Sequence, residues 1–493
     1  MNYTQKAGSG FFHFLFRNII GRGIGMVSMI FLARILTPYE FGLVSISEVL
    51  LNIIAMLATT GIGEYLLAFK EEGKEKEIFQ SVFWLNFFLS TLVALIAIVA
   101  LPFWTAANSD ARILHLGYLV VATFFLTQLH VVPKSWMSRK LEFAKQVKIQ
   151  TAFIILIPIG KVLAAYMGFG VFSLVIPTLV LLPIEVFLMY RFSGFFPGLN
   201  FFTNHWKRVL HFTKNLIGSS ILGIFTDQGD KIILAKFVSL ESLGAYNLAW
   251  QLANFFISNV ISITNGILSA VLPKLSNDID RMRSSYFNFL KVIVFSIGFL
   301  IVLMGVLGSD LIELMYGPNW VVAGVPLQIL SIFAFYRALT SSYGSVMNTL
   351  HLSNKALLVN SVYTPFHIIG SLIGAQFGVI GIAASVTSVR FIFIHWGIKQ
   401  TMNALNKGFI FFYKQLASWF ILLMAIVFIG LLLSAAMQNW IVLYRIITIT
   451  GILTLLYLIA ARLFLKQEIG IVNDFLHKLN PKVGLLFQKL LFI

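Results

Sequence analysis

The chain has 493 residues, of which 58% are hydrophobic and only 11% charged, with mean hydropathy +0.89 and a formal net charge of +17. A soluble fold of this size has too little interior to hide so much apolar surface, and long apolar runs without period-two alternation exclude a barrel, so an all-α polytopic membrane protein is expected. The absence of cysteine excludes disulfides, thiolate metal sites and cysteine nucleophiles.

In chain order, apolar stretches of spanning length fall near residues 11–34, 41–63, 78–102, 113–132, 149–168, 171–192, 209–237, 243–272, 288–307, 325–349, 356–377, 379–400, 411–436 and 440–463, which gives about fourteen transmembrane helices. The start MNYTQKAGSG has one lysine and no small-residue cleavage site after its first apolar run, so the first span is expected to be retained. Segments 133–148 and 273–287 read as short basic amphipathic stretches on the cytoplasmic side. The segment GSDLIELMYGPNWVVAG, residues 308–324, reads as the longest external loop, and residues 465–493 as a cytoplasmic amphipathic tail.

With the amino terminus inside, 26 of the 36 Lys and Arg residues fall in cytoplasmic segments and two, Arg112 and Lys236, in external ones. This asymmetry accounts for the basic charge without a nucleic-acid partner and places both termini in the cytoplasm.

An internal repeat organises the chain. ARILTPYEFGLVSIS (33–47) aligns without gaps to AKFVSLESLGAYNLA (235–249), pairing Thr37 with Ser239 and Gly42 with Gly244. Arg17 to Gly21 matches Lys214 to Gly218, and Phe169-Gly170-Val171 matches Phe377-Gly378-Val379. The expected division is residues 1–192 (spans one to six), 193–408 (spans seven to twelve), 409–464 (spans thirteen and fourteen) and the tail. Because six is even, the two copies enter the membrane from the same side, as lobes facing each other across a central cavity.

Ionisable groups within a span cost several kcal/mol, roughly 2.5 to 3.5 by insertion scales, unless paired or hydrated. Arg22, Lys161, Lys231, Arg337 and Arg390 are the cationic candidates to line a cavity and bind an anionic substrate, joined by Asn18 in span one and by Arg17, which lies toward the span end where anchoring is the default but close enough to Arg22 to extend the track inward. Glu48, Asp227 and Asp230 are candidates for ion coupling or for tuning the cations. Gly21, Arg22, Gly25 and Ser28 share one helix face, for which close packing fits the glycines and a cavity fits Arg22. Asp227 and Lys231, four apart, could equally neutralise each other. Arg34 reads as an interfacial anchor. His367 and His395 lack a second ligand at metal spacing and read as packing residues. No phosphate-cradling loop or nucleophile elbow is present, so no catalytic residue is assigned.

On ARILTPYEFGLVSIS, on DKIILAKFVSLESLGAYNLA (230–249) and on its length, the chain resembles the polysaccharide transporter branch of the multidrug, oligosaccharidyl-lipid and polysaccharide exporter superfamily, whose members serve O-antigen, colanic acid or teichuronic acid assembly. The resemblance implies two six-helix lobes around a central cavity with two extra helices. It further implies export of a polyprenyl-diphosphate-linked oligosaccharide by alternating access in the bacterial inner membrane, as a monomer without a cofactor. Coupling to a sodium or proton gradient, contact with membrane lipids, and work alongside glycosyltransferases and a polysaccharide polymerase belong to the same expectation. Related lipid II flippases carry two arginines in span one, which match Arg17 and Arg22. The competing expectations are a multidrug or cation antiporter of the same superfamily, and a membrane glycosyltransferase or polymerase.

Overall fold

In the computed structural model, the described residues are 21–466 except 60, 70, 72 and 107–109, with 469, 470 and 473 beyond; at some helical positions, Asp227 among them, only the backbone is described. Arg17, Asn18 and most of the tail lie outside this set. All regular secondary structure among the described residues is helical. Helix α1 covers residues 21–35, followed by α2 (Pro38–Thr59), α3 (Ile62–Ala68), α4 (Glu75–Ala106), α5 (Arg112–Leu129), α6 (Val131–Arg139), α7 (Phe143–Tyr166), α8 (Ile176–Ser193) and α9 (Trp206–Phe237). Then come α10 (Leu240–Val271), α11 (Ile279–Tyr316), α12 (Gly324–Thr340), α13 (Tyr343–Thr349), α14 (Ser353–Ala375), α15 (Gly378–Ala404), α16 (Phe409–Ala436) and α17 (Val442–Phe464).

Eleven helical segments among the described residues are long and apolar enough to cross a membrane. Their exposed side chains are themselves apolar, Phe103, Val99, Ile421 and Leu455 among them, as a lipid-facing surface requires. The chain is therefore a multi-pass membrane protein. The three spans expected near 11–34, 209–237 and 243–272 correspond to α1, α9 and α10, which are not among the eleven. Helix α9 carries Lys207, Arg208, Lys214, Asp227, Asp230, Lys231 and Lys236, which lower its hydropathy although its 32 residues exceed the length of a bilayer core. The segment expected as a long external loop is instead mostly helix. Helix α11 continues to Tyr316 before a 3₁₀ turn over Pro318–Ala323, because Asp310 finds a cation in the fold.

The chain forms two compact units, Met1–Gly244 and Ala245–Ile493. In the first, α2 packs on α4, α5 and α9, and α7 on α8. One end is filled by an aromatic cluster in which Phe79 meets Trp136 edge-on at 4.8 Å and Phe195 at 6.0 Å. The Ser28 hydroxyl donates to the Pro158 carbonyl at 3.0 Å, and a Cβ on Gly21 would meet Ile154, so this face of α1 packs on α7.

In the second unit, α11 is the 38-residue spine against which α12, α16 and α17 pack, around Phe412, Trp419 and Tyr457. The Tyr457 hydroxyl donates to the Phe295 carbonyl at 2.9 Å. Arg445 of α17 donates to both carboxylate oxygens of Asp310 on α11, through Nε at 2.8 Å and through Nη2.

The aligned sequence blocks adopt the same local structure. The Thr37 amide donates to Glu40 Oε2 at 2.8 Å and the Glu40 amide lies 3.4 Å from Thr37 Oγ1, a capping box with Pro38 in the first turn of α2. Ser239 caps α10 in the same way, accepting from the Ser242 amide at 3.2 Å. These two helix starts meet within the first unit: a Cβ on Gly42 would lie 1.9 Å from the Leu240 carbonyl oxygen, and one on Gly244 would lie 1.9 Å from that of Pro38. Only glycine allows this backbone approach. Gly170 and Gly378, also aligned, both have positive φ, 51° and 71°.

Candidate functional site

Two clusters of polar and charged side chains stand out, one in each unit. In the first unit a cavity of about 390 Å³ lies among α2, α5, α7 and α8. Glu48 and Asn52 of α2 line it, with Thr123 and Thr127 of α5, Lys161 of α7 and Thr178 of α8. Each side chain gets there by helical spacing. Glu48 and Asn52 are one turn apart, as are Thr123 and Thr127, so each pair presents a polar stripe from an otherwise apolar helix. The Glu48 side chain is open to the cavity while surrounded by protein, and Lys161 and Lys231 both act on it electrostatically. Lys231 is buried on α9, next to the buried Asp230, whose carboxylate accepts from the Lys231 amide at 2.9 Å.

In the second unit Arg337 of α12 donates to Asn254 Oδ1 of α10 at 3.0 Å. The Asn254 Nδ2 in turn donates to the Trp250 carbonyl at 2.9 Å, which fixes the amide so that its oxygen faces the arginine. The guanidinium lies 6.0 Å from the centre of the Trp250 ring. One turn on from Arg337, the Thr340 hydroxyl accepts from Arg390 Nη2 of α15 at 3.0 Å, so one helix face joins the two arginines. Arg390 also lies over Tyr363 of α14 at 5.0 Å, and its buried Nε has no hydrogen-bond partner among the described residues. A guanidinium with an unused donor, held between a threonine and an aromatic face, is suited to an anionic or strongly accepting group.

Of the other sequence candidates, Arg22 is half-buried on α1 and Arg34 is exposed. Arg17 and Asn18, and the Asp227 side chain, fall outside the described residues. His367 bonds Tyr363 at 3.1 Å through Nδ1, and His395 bonds Tyr413 at 2.5 Å, so both are held by tyrosines. Glu185 is buried with His130 3.7 Å away. A mainly apolar cavity of about 600 Å³ among α11, α12, α15 and α16 includes His395 and Tyr413 in its wall. Sequence reasoning missed Asn254, Thr340, Trp250 and Tyr363, because their adjacency to the arginines is made by four helices far apart in the chain. The one-turn spacing of Thr123 and Thr127 is a signal in the sequence that could have marked α5.

The succinoglycan biosynthesis transport protein ExoT of Rhizobium meliloti is 24% identical over 63% of this chain and 62% of its own length, so the match spans under two thirds of that relative. The lipopolysaccharide biosynthesis protein WzxC of Escherichia coli is 23% identical over 80% of each chain. Among solved structures, the inward closed conformation of lipid II flippase MurJ superposes with TM-score 0.70 at 13% identity, covering 92% of this chain and 99% of that one. An inward-facing multidrug resistance MATE family transporter gives TM-score 0.60 at 12% identity over 80% of this chain and 95% of its own. These likenesses establish the fold class. Residues 31–324, more than half of the chain, match the family described as polysaccharide biosynthesis protein, and the chain belongs to that family.

Proposed function

We propose that this protein moves polyprenyl-diphosphate-linked oligosaccharide repeat units across the bacterial inner membrane by alternating access, with both termini in the cytoplasm. The observation that carries this reading is a cationic side chain set among uncharged hydrogen-bonding ones in each unit, Lys161 in the cavity with Asn52, Thr123, Thr127 and Thr178, and Arg337 with Arg390 beside Asn254 and Thr340. Ammonium and guanidinium groups can replace the water around a diphosphate, and the hydroxyls and amides of Thr123, Thr127, Asn254 and Thr340 suit a glycan. The likeness to a lipid II flippase and to a succinoglycan biosynthesis transport protein supports the same cargo class. Spans one to six and seven to twelve act as the two moving copies in this proposal, Arg22 extends the cationic track, and Asp230 is the acidic group through which a sodium or proton gradient would act. Glycosyltransferases would supply the cargo and a polymerase would consume it.

The antiporter reading keeps one supporting observation, the likeness to the multidrug transporter, together with the carboxylates Glu48 and Asp230. Deletion of the gene separates the two. Lipid-linked repeat units should accumulate on the cytoplasmic leaflet with drug tolerance unchanged. Normal glycan export with new sensitivity to cationic dyes would establish the antiporter instead.

A further inference from the structure

This inference rests on the flippase proposal and concerns the part of the cargo that carries no charge. A polar pocket of about 640 Å³ lies within the second unit. That volume is in the range of roughly 300 to 1,000 Å³ typical of small-molecule sites. Its walls are the end of α10, the 3₁₀ turn Leu272–Leu275 with the residues after it, and the end of α13 with the residues after it. Its polar side chains include Ser269, Asn277, Ser345, Asn348, Thr349 and His351, and no Lys, Arg, Asp or Glu is among the described residues that line it. Segment 273–287 beside it is expected on the cytoplasmic face, where the lysines and arginines of the chain gather, so a neutral pocket runs against the composition of its surroundings.

The internal repeat shows how the neutrality arises. SWMSRKL (135–141) aligns with SVMNTLH (345–351), and both stretches end a short helix with the same cap. The Leu141 and Glu142 amides donate to the Ser138 and Met137 carbonyls at 3.1 and 2.9 Å, and the His351 and Leu352 amides donate to those of Asn348 and Met347 at 3.2 and 2.7 Å. Leu141 and His351 both have φ 58°, the left-handed residue of that helix-ending motif. In the first copy Arg139 is taken up by structure, donating to the Phe69 carbonyl at 3.1 Å and lying 3.8 Å from the centre of the Phe69 ring. Its counterpart in the second copy is Thr349, whose hydroxyl donates to the Ser345 carbonyl at 2.8 Å and keeps its own lone pairs. Asn348 Oδ1 accepts from the Ser353 hydroxyl at 2.9 Å, which leaves Nδ2 as a donor. The side chains of Asn277 and His351 make no hydrogen bond among the described residues.

We propose that this pocket is a carbohydrate-binding site that takes an uncharged sugar residue of the cargo at the cytoplasmic end of the second unit. Hydroxyls, amides and an imidazole can each donate and accept, as the hydroxyls of a sugar require, whereas a diphosphate would find no cation to replace its water. Pro273 and Leu350 in the same wall suit the C–H face of a pyranose ring. Charge and glycan are then recognised by different residues, so changes in the neutral lining alter which sugar is accepted without touching the cationic groups.

The test uses the full-length protein in lipid nanodiscs, with the repeat-unit oligosaccharide cut from the surface polysaccharide and farnesyl diphosphate as separate probes, and calorimetric titration as the readout. Wild type should bind both. Thr349→Arg places the first copy's residue on a backbone that already carries an arginine in that copy. It should abolish oligosaccharide binding, leave farnesyl diphosphate binding unchanged and lower glycan export in cells. Asn277→Ala should weaken oligosaccharide binding about three- to tenfold, as the loss of one or two neutral hydrogen bonds would. Oligosaccharide binding that is absent from wild type, or equal in wild type and both variants, overturns the site and, with farnesyl diphosphate still bound, leaves the flippase proposal standing. Should Thr349→Arg lower the melting temperature, Asn277→Ala decides, and unchanged binding there overturns the site. A simple methyl hexoside that binds more tightly than the repeat unit would make this a pocket for free sugar and overturns its assignment to the cargo. If the deletion strain keeps its surface polysaccharide, the flippase proposal fails and this assignment fails with it.

Discussion

A charged residue inside an apolar run is conspicuous, and Lys161 and Arg390 were legible for that reason alone. Their surroundings were not. Thr340 and Asn254 are ordinary side chains until the fold sets them beside arginines, and Tyr363 reads as one more aromatic among 15 tyrosines. The contacts of Arg390 lead to a specific expectation. Arg390→Ala should reduce glycan export by about tenfold or more, since a charge-assisted hydrogen bond contributes roughly 1.5 to 3 kcal/mol. Arg390→Lys should restore export only in part, because the planar fork over Tyr363 is lost. Export at wild-type rate in Arg390→Ala, at equal protein level, would remove this arginine from the site. Asp110, in the segment between α4 and α5, carries the pH-sensitive contact. Arg112 donates to it at 2.9 Å and the Tyr39 hydroxyl at 2.7 Å, which lowers its pKa from 3.8 to about 2. The sign follows from that depression: its stabilisation is complete above pH 3.8 and is lost as pH falls toward 2. With Arg112 47% exposed, the contribution is discounted to about 1 kcal/mol. Melting curves between pH 5 and pH 2 should show an acid-dependent loss in wild type that is smaller in Asp110→Asn.

Helices α11 and α17 show what span prediction loses at its edges. The apolar run of α11 weakens at Gly308-Ser309-Asp310, so the sequence suggests that the span ends there. The helix continues to Tyr316 because Arg445, itself stranded in an apolar run, supplies the partner for Asp310. Each residue alone is an anomaly of hydropathy, and together they pin α17 to α11. Asp310 is buried and Arg445 largely so, and removing one partner from a buried pair costs about 3 to 5 kcal/mol, whereas replacing both with apolar groups is far less costly. Asp310→Ala and Arg445→Ala should therefore each lower the melting temperature sharply in detergent, and Asp310→Ala/Arg445→Met should recover most of the loss. A double variant as unstable as the singles would mean that the two residues act independently. Element orientation can be checked on the cysteine-free chain. Lys140→Cys should resist an impermeant thiol reagent in intact cells while Val321→Cys, at an exposed position after α11, reacts.

At the scale of the whole molecule, the all-helical membrane class was legible from composition and periodicity, and eleven of the expected spans appear as apolar helices of sufficient length. Helix α9 departs from that measure for the reason that made it a functional candidate, the charges along it. The repeat was legible only as scattered identities, since most positions in two apolar helices can drift without cost. What persisted was geometry that tolerates one residue type. Gly42→Ala and Gly244→Ala should each force α2 and α10 apart and lower stability or folded yield, because the added methyl would meet a carbonyl oxygen at 1.9 Å. Gly451→Ala on α17, where a Cβ meets nothing within 4 Å, should be neutral or stabilising by about 0.4 to 1 kcal/mol. Thermal melting of the three variants decides the point, and equal melting temperatures would refute the crossing.

The crossing of Gly42 and Gly244 is also reciprocal. Gly42 meets Leu240, and Gly244 meets Pro38; in the alignment of the two blocks, Leu240 is the counterpart of Pro38 and Gly244 of Gly42. Such an exchange, in which position i touches j and j touches i, is the signature of an isologous contact, the kind a homodimer makes across a two-fold axis. The two aligned blocks therefore meet reciprocally, each glycine against the counterpart of the residue that its own partner meets. Each of the two glycines is thus held in place by the other's helix start, so a change at either one is felt at both.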